Sequence, residues 1–209
     1  YLDEKQQTKF TQELKNRISR RKRSGRDDPD RQTGTDQIPD DVVARVDEAY
    51  REVLAEAGAL DFDDLITGAI TVLRTDLDAA SHYQRRLRFV FIDEFHDISP
   101  EQFELVRLLA PARGGVQVVA IADRDQAIYA WRGADVEAML RAFRREYRPH
   151  EYQLTRNFRS TPEIIKAANA VIGGNRTSPP TVATGQPGTS TALPVDIVEF
   201  ADEEAEAEG

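Results

Sequence analysis

Two stretches constrain this chain more than any others. "RFVFID" at 88–93 and "GVQVVAIAD" at 115–123 are short apolar runs that each end on a carboxylate. A continuous apolar run bounded by polar residues suits a strand covered on both faces. Between the two, "SPEQFELVRLLA" reads as a helix with Ser99 at the N-cap, Pro100 at the first position and Gln102 at the third, a capping-box arrangement. Strand, helix and strand with short connections form a parallel unit, right-handed by default. Ligands of such sheets sit at the carboxyl ends of the strands. Asp93, Glu94 and Asp123 therefore share one rim, and the fold class is α/β.

Helical patterns precede this unit. In "FTQELKNRISRRKR" Phe10, Leu14 and Ile18 recur every four residues beneath a basic surface, which predicts an amphipathic helix ending near Ser24. "GRDDPDRQTGTDQIP" is a loop by composition. A second helix is predicted over about Asp40–Ala57 with Val43, Val46, Tyr50, Val53 and Leu54 on its apolar side. A third follows, capped by Asp61 and burying Leu65, Ile66, Ile70 and Leu73.

Composition narrows the function classes. No apolar run approaches the roughly 18 to 20 residues that span a bilayer, and "YLDEKQQTKF" lacks the apolar centre of a signal peptide, so a soluble, cytoplasmic protein is expected. There is no cysteine, and three scattered histidines, His82, His96 and His150, make a zinc site a poor fit. The net charge of -9 opposes nucleic acid on average, but the first 26 residues are strongly basic and the last fourteen strongly acidic.

Two adjacent carboxylates at the end of a buried strand repel one another and call for a cation or donors. Magnesium with a nucleotide would meet that need, the first acid on the metal and the second on the attacking water. Taken alone, the Asp-Glu pair suits a solvated strand end equally well. The segment after the second run, "ADRDQAIYAWRGAD", sets Gln126, Tyr129, Trp131 and Arg132 among charged residues. Tyr129 and Trp131 could belong to a core. Their charged flanks favour a surface loop, where aromatic rings beside arginine stack on unpaired bases.

Together "VFIDEFHDIS", "ADRDQAIYAWRGAD" and "LTRNFRSTPEIIKAANAVI" resemble the UvrD/Rep type of superfamily 1 DNA helicase, in that order, and "LDFDDLI" and "ISRRK" extend the likeness from about Tyr1 to Glu206. The resemblance implies a partial RecA-like P-loop NTPase sheet, a helical inserted subdomain and the start of a second RecA-like domain. The corresponding boundaries are 1–57, 58–150 and 151–209. It implies ATP and Mg2+ as cofactors, single-stranded and duplex DNA as partners, and 3′ to 5′ movement coupled to unwinding in repair or replication. Residue by residue, Asp93 would hold magnesium and Glu94 would be the general base. Gln126 would sense the terminal phosphate, Arg159 would reach the same phosphate, and Phe158 would lie against adenine. Tyr129, Trp131 and Arg132 would meet DNA, and basic residues such as those in "ISRRKR" would add phosphate contacts. Without its surroundings, Arg159 would equally suit a surface ion pair.

The chain departs from the family at His96, where glutamine is usual, and at Ala122, where glycine is usual. His96 would couple the nucleotide and DNA sides and, unlike glutamine, titrates near neutral pH. It also gives "DEFH" the look of a superfamily 2 DExH helicase, although the segment after the second strand does not follow that pattern. No glycine precedes a lysine anywhere, so the phosphate-cradling GxxxxGK[ST] loop is missing. An internal portion of a longer helicase, inactive by itself and dependent on the remainder of that chain, is the expectation. A non-catalytic single-strand-binding or regulatory remnant is the alternative.

Overall fold

The computed structural model describes residues 4–24, 38–127, 136–173, 182–183, 195–196 and 198–208. The chain divides into two compact units, Tyr1–Arg148 and Pro149–Gly209.

The first unit opens with helices α1 (Glu4–Ser24) and α2 (Asp40–Glu56). The predicted loop falls almost entirely outside the described residues. Ile18, Ile38 and Val43 form a small apolar cluster between the two helices, flanked by Leu14, Val42 and Val46. The apolar side of α2 is shorter than its pattern suggests: Val53 is exposed and Tyr50 borderline, while Asp47 is buried between Arg21 and Arg51.

Helix α3 (Phe62–Thr75) starts where the sequence places it. The Asp61 carboxylate accepts the Asp64 N–H at 2.8 Å and the Asp64 carboxylate accepts the Asp61 N–H at 3.3 Å. Ile70 and Leu73 are buried, but Leu65 is 51% exposed. The first turn of α3 is oriented instead by its acids, because Asp61, Asp63 and Asp64 all pair with bases of α1. Helix α4 (Leu77–Arg86), absent from the sequence reading, begins at Asp76, whose carboxylate accepts from the Asp78 and Ala79 N–H groups at 3.0 and 2.9 Å.

Strands β1 (Phe89–Ile92) and β2 (Gln117–Ala120) pair in parallel, from Phe89 opposite Gln117 to Ile92 opposite Ala120. Helix α5 (Pro100–Leu109) connects them and carries the predicted reciprocal capping box between Ser99 and Gln102. The core lies on one face of this pair, where Phe95, Ile98 and Phe103 pack with Ala142 and Phe143 of helix α6 (Val136–Tyr147), against Ile92, Val118 and Ala120. The rings of Phe95 and Phe103 meet edge to face at 5.7 Å, and Arg107 lies 4.2 Å above Phe103 while its Nε and Nη2 donate to the Glu146 carboxylate, each at 2.7 Å.

The strands are not covered on both faces, contrary to the sequence pattern. Alternate side chains of a strand point to opposite sides. Phe89, Val119 and Ile121 are about half exposed or close to it and Phe91 is 70% exposed, whereas their neighbours in sequence face the core.

In the second unit, β3 (Arg156–Asn157) pairs in parallel with β4 (Val182–Ala183), helix α7 (Pro162–Ile172) lies between them in sequence, and α8 spans Glu203–Glu208. The result is a helix-rich α/β protein with small parallel sheets. Among the described residues no helix is long and apolar enough to cross a membrane.

Candidate active site

The carboxyl ends of β1 and β2 bring the predicted rim together. The Ile121 N–H donates to the Ile92 carbonyl at 2.9 Å and the Phe95 N–H returns to the Ile121 carbonyl at 2.8 Å. Between these two bonds the chain must reverse sharply, and it does so at Glu94, which takes left-handed backbone angles (φ 49°, ψ 45°). A residue with a Cβ pays roughly 1–2 kcal/mol for that conformation. The Asp93 carboxylate steadies it by accepting the Glu94 N–H at 3.0 Å. Strain of this kind persists where surrounding bonds fix it, and it clusters at functional positions.

Asp93 and Glu94 are both exposed. The expectation of desolvated, mutually repelling carboxylates is therefore corrected: β1 ends at Ile92, and the turn at Glu94 lifts both acids to an open rim. No lysine or arginine among the described residues pairs with either, or with Asp123. Among the described residues no cluster of three or more histidine or acidic side chains is arranged to hold a metal ion. A single free carboxylate such as Asp93 still fits magnesium, which takes one or two protein carboxylates and completes its shell with waters and phosphates.

His96 is almost fully buried, at 3% exposure, in the short turn Phe95–Asp97. Its Nδ1 accepts the Asp123 N–H at 3.2 Å, and its Nε2 stands 3.5 Å from Glu94 Oε2 and 3.9 Å from Asp97 Oδ2. Asp123 in turn accepts the Gln126 side-chain amide at 2.7 Å and the Asp125 N–H at 3.0 Å. Glu94, His96, Asp123 and Gln126 thus form one polar sequence across the two strand ends. Asp123 as the hub of that sequence escaped the residue-by-residue expectations, although its place at the end of an apolar run signalled the rim.

Tyr129, Trp131 and Arg132 lie outside the described residues. In the second unit Phe158 and Arg159 are exposed. The Asn157 carboxamide oxygen accepts the N–H groups of Arg159 and Ser160 at 2.9 and 2.8 Å, which fixes the backbone before α7. No acidic side chain among the described residues pairs with Arg159.

Four bases in the second half of α1 meet acids. Arg17 pairs with Asp40, Arg21 with Asp47, Arg23 with Asp63, and Lys22 with both Asp61 (2.7 Å) and Asp64 (2.9 Å). The Lys22 side chain is 2% exposed. Burial alone would lower its ammonium, but the hydrogen bonds to Asp61 and Asp64 outweigh it and hold the group above its ordinary value. Within the described residues these bases are structural partners of acids.

Comparison with known proteins bears on the same segment. The family model for the UvrD/REP helicase N-terminal domain matches residues 2–147. That span holds the whole β1–β2 rim and ends before Phe158 and Arg159. The chain is 38% identical over 136 residues to the ATP-dependent DNA helicase PcrA of Leuconostoc citreum, covering 65% of this chain and 18% of that protein. It is also 38% identical over 135 residues to the proteins of the same name from Staphylococcus aureus and Staphylococcus epidermidis, again covering 18% of each. The chain therefore spans less than a fifth of the length of these curated relatives. With more than half of its residues matched by the family model, rim included, the chain belongs to the UvrD/REP helicase family.

Proposed function

We propose that this chain is part of an ATP-driven DNA translocase that moves 3′ to 5′ on single strands and unwinds duplex DNA in repair or replication. The observation that carries the reading is the rim: two acids that no lysine or arginine among the described residues neutralises, of which Glu94, in a strained backbone conformation, adjoins His96 and through it Asp123 and Gln126. A protein that only bound DNA would have no chemical use for that set.

Asp93 would hold magnesium, which when bound with ATP neutralises charge on the phosphate oxygens. Glu94 accepts the proton of the attacking water. Gln126 reads the terminal phosphate and passes its loss toward the following segment, where Tyr129 and Trp131 stack on unpaired bases and Arg132 adjoins them. For the second unit the family resemblance supports a terminal-phosphate role for Arg159, whose guanidinium is a planar, permanently charged fork, and an adenine contact for Phe158. On this reading 1–57 is a helical inserted subdomain, 58–150 the back of a first RecA-like domain and 151–209 the start of a second. The uncovered face bearing Phe89, Phe91 and Val119 supports the view that the remainder of the parent chain adds a further layer there.

The test is ATP turnover by the full-length parent. Glu94→Gln should abolish hydrolysis while leaving nucleotide binding, and Arg159→Ala should slow it by a factor on the order of 10³, as for an arginine that meets transition-state charge. The 209-residue chain, lacking a glycine-lysine phosphate cradle, should show none. Normal turnover in either variant overturns the assignment.

A further inference from the structure

The bond from the Asp123 N–H to His96 Nδ1 fixes more than the position of a ring. A nitrogen that accepts a hydrogen bond cannot also carry a proton, so the neutral imidazole is held with its proton on Nε2. The Nε2 atom stands 3.5 Å from Glu94 Oε2 and 3.9 Å from Asp97 Oδ2. The ring has little freedom to choose otherwise. It is buried within the turn Phe95–Asp97, and that turn is anchored on one side by the Phe95 N–H bond to Ile121 and on the other by packing of Phe95 against Phe103 and Phe143.

We propose that His96 is a positioning residue that spans the two strand ends, taking the Asp123 N–H on Nδ1 and presenting Nε2–H to the Glu94 carboxylate. The catalytic half of this inference rests on the reading of Glu94 as general base. At 3.5 Å the contact to Glu94 is longer than an ordinary N–H···O bond and is poised rather than closed. Such bonds commonly tighten only when substrate is bound. The Glu94 side chain, 63% exposed, keeps the freedom to complete it. A donor on that carboxylate limits its rotation and so fixes where its oxygens stand. Because Asp123 also holds the Gln126 amide, a shift at either strand end is transmitted to the other through one imidazole. The position demands one acceptor and one donor rather than a charge, which glutamine also offers.

Three measurements test this. In the 15N-histidine-labelled chain, the ring signals lost on His96→Gln should show Nε2 protonated and Nδ1 bare at neutral pH. A proton on Nδ1, or an averaged pair of tautomers, would overturn the proposal without touching the functional reading. In His96→Leu, amide exchange at Asp123 should quicken on the order of tenfold or more, as expected when a bond is opened locally, while the Phe95 N–H keeps its protection. Equal change at both amides, or at neither, counts against it. In the full-length parent, His96→Leu should lower kcat for ATP by roughly 10- to 100-fold, the range typical of partners that orient a reacting group. KM should barely move, and His96→Gln should recover most of the loss. A fall in KM-dependent binding with kcat intact would defeat the positioning role. A parent with no turnover at all would defeat the proposed function, and the catalytic half of this inference with it, whatever the tautomer.

Discussion

The α1–α3 region and the β1–β2 rim both concentrate acids, and they treat them in opposite ways. In the helices the acids meet bases, most of them across a long stretch of sequence: Lys22 reaches Asp61 and Asp64, Arg23 reaches Asp63, and Arg21, together with the adjacent-turn Arg51, encloses Asp47. At the rim Asp93 and Asp123 pair with no lysine or arginine among the described residues, and Glu94 adjoins only the His96 ring and stands in a conformation that costs free energy. Charges that stabilise a fold are satisfied within it. The charges at the end of the parallel pair, on a strained backbone, have no lysine or arginine partner among the described residues.

The contrast breaks first, if it breaks, at Lys22. Lys22→Ala leaves two partly exposed carboxylates beside one another without their cation. Because Asp61 and Asp64 retain some contact with water, the loss should be about 2 kcal/mol rather than the 3–5 kcal/mol typical of a wholly buried pair. Urea denaturation of the 209-residue chain measures it, and a loss below roughly 0.5 kcal/mol, the scale of an ordinary surface site, would place Lys22 with the surface charges.

Acid should produce the next largest effect. Burial pushes the Asp61 carboxyl up, but Lys22 and the Asp64 N–H more than offset it and leave the group below its ordinary value. Arg107 does the same for Glu146. A carboxyl depressed on folding contributes stability that is present above its unfolded value and lost as pH falls through its folded value. Melting temperature should therefore hold steady near neutrality and decline below about pH 4, where free carboxyls begin to protonate. Lys22→Ala should flatten part of that decline, since Asp61 then has less to lose.

The smallest effect belongs to the rim. Asp93→Asn keeps an oxygen for the Glu94 N–H and removes a charge that no base among the described residues neutralises, so stability should stay within about 0.5 kcal/mol of the unsubstituted chain. A loss above 1 kcal/mol in the same urea experiment would mean that the rim acids are structural after all.

The strand, helix and strand unit was legible because its signals are local: two apolar runs, and a Ser99–Gln102 box that reads directly from spacing. Asp61 as a cap was legible for the same reason. Helix α4 was missed although Asp76 announces it, because the apolar pattern that follows Asp76 is weak. The commitment of Lys22 could not be read at all. Its partners lie 39 and 42 residues away, and nothing in "ISRRK" distinguishes a base bound for a neighbouring helix from one bound for a phosphate. At the site, residue types and order were legible. The left-handed turn at Glu94 and the burial of His96 were not, because both follow from where β2 ends relative to β1.

The exposed phenylalanines of β1 also bear on how the chain behaves in a test tube. Phe89 and Phe91 stack 6.1 Å apart on an open face, and each strand of the two-stranded sheet has an unpaired edge among the described residues. An apolar face beside a free edge invites pairing with another copy. The formal charge of -9 opposes that contact by mutual repulsion, which salt screens over a distance of about 10 Å at 0.1 M. Raising ionic strength should therefore favour self-association of the chain through this face, which light scattering over a salt series would check.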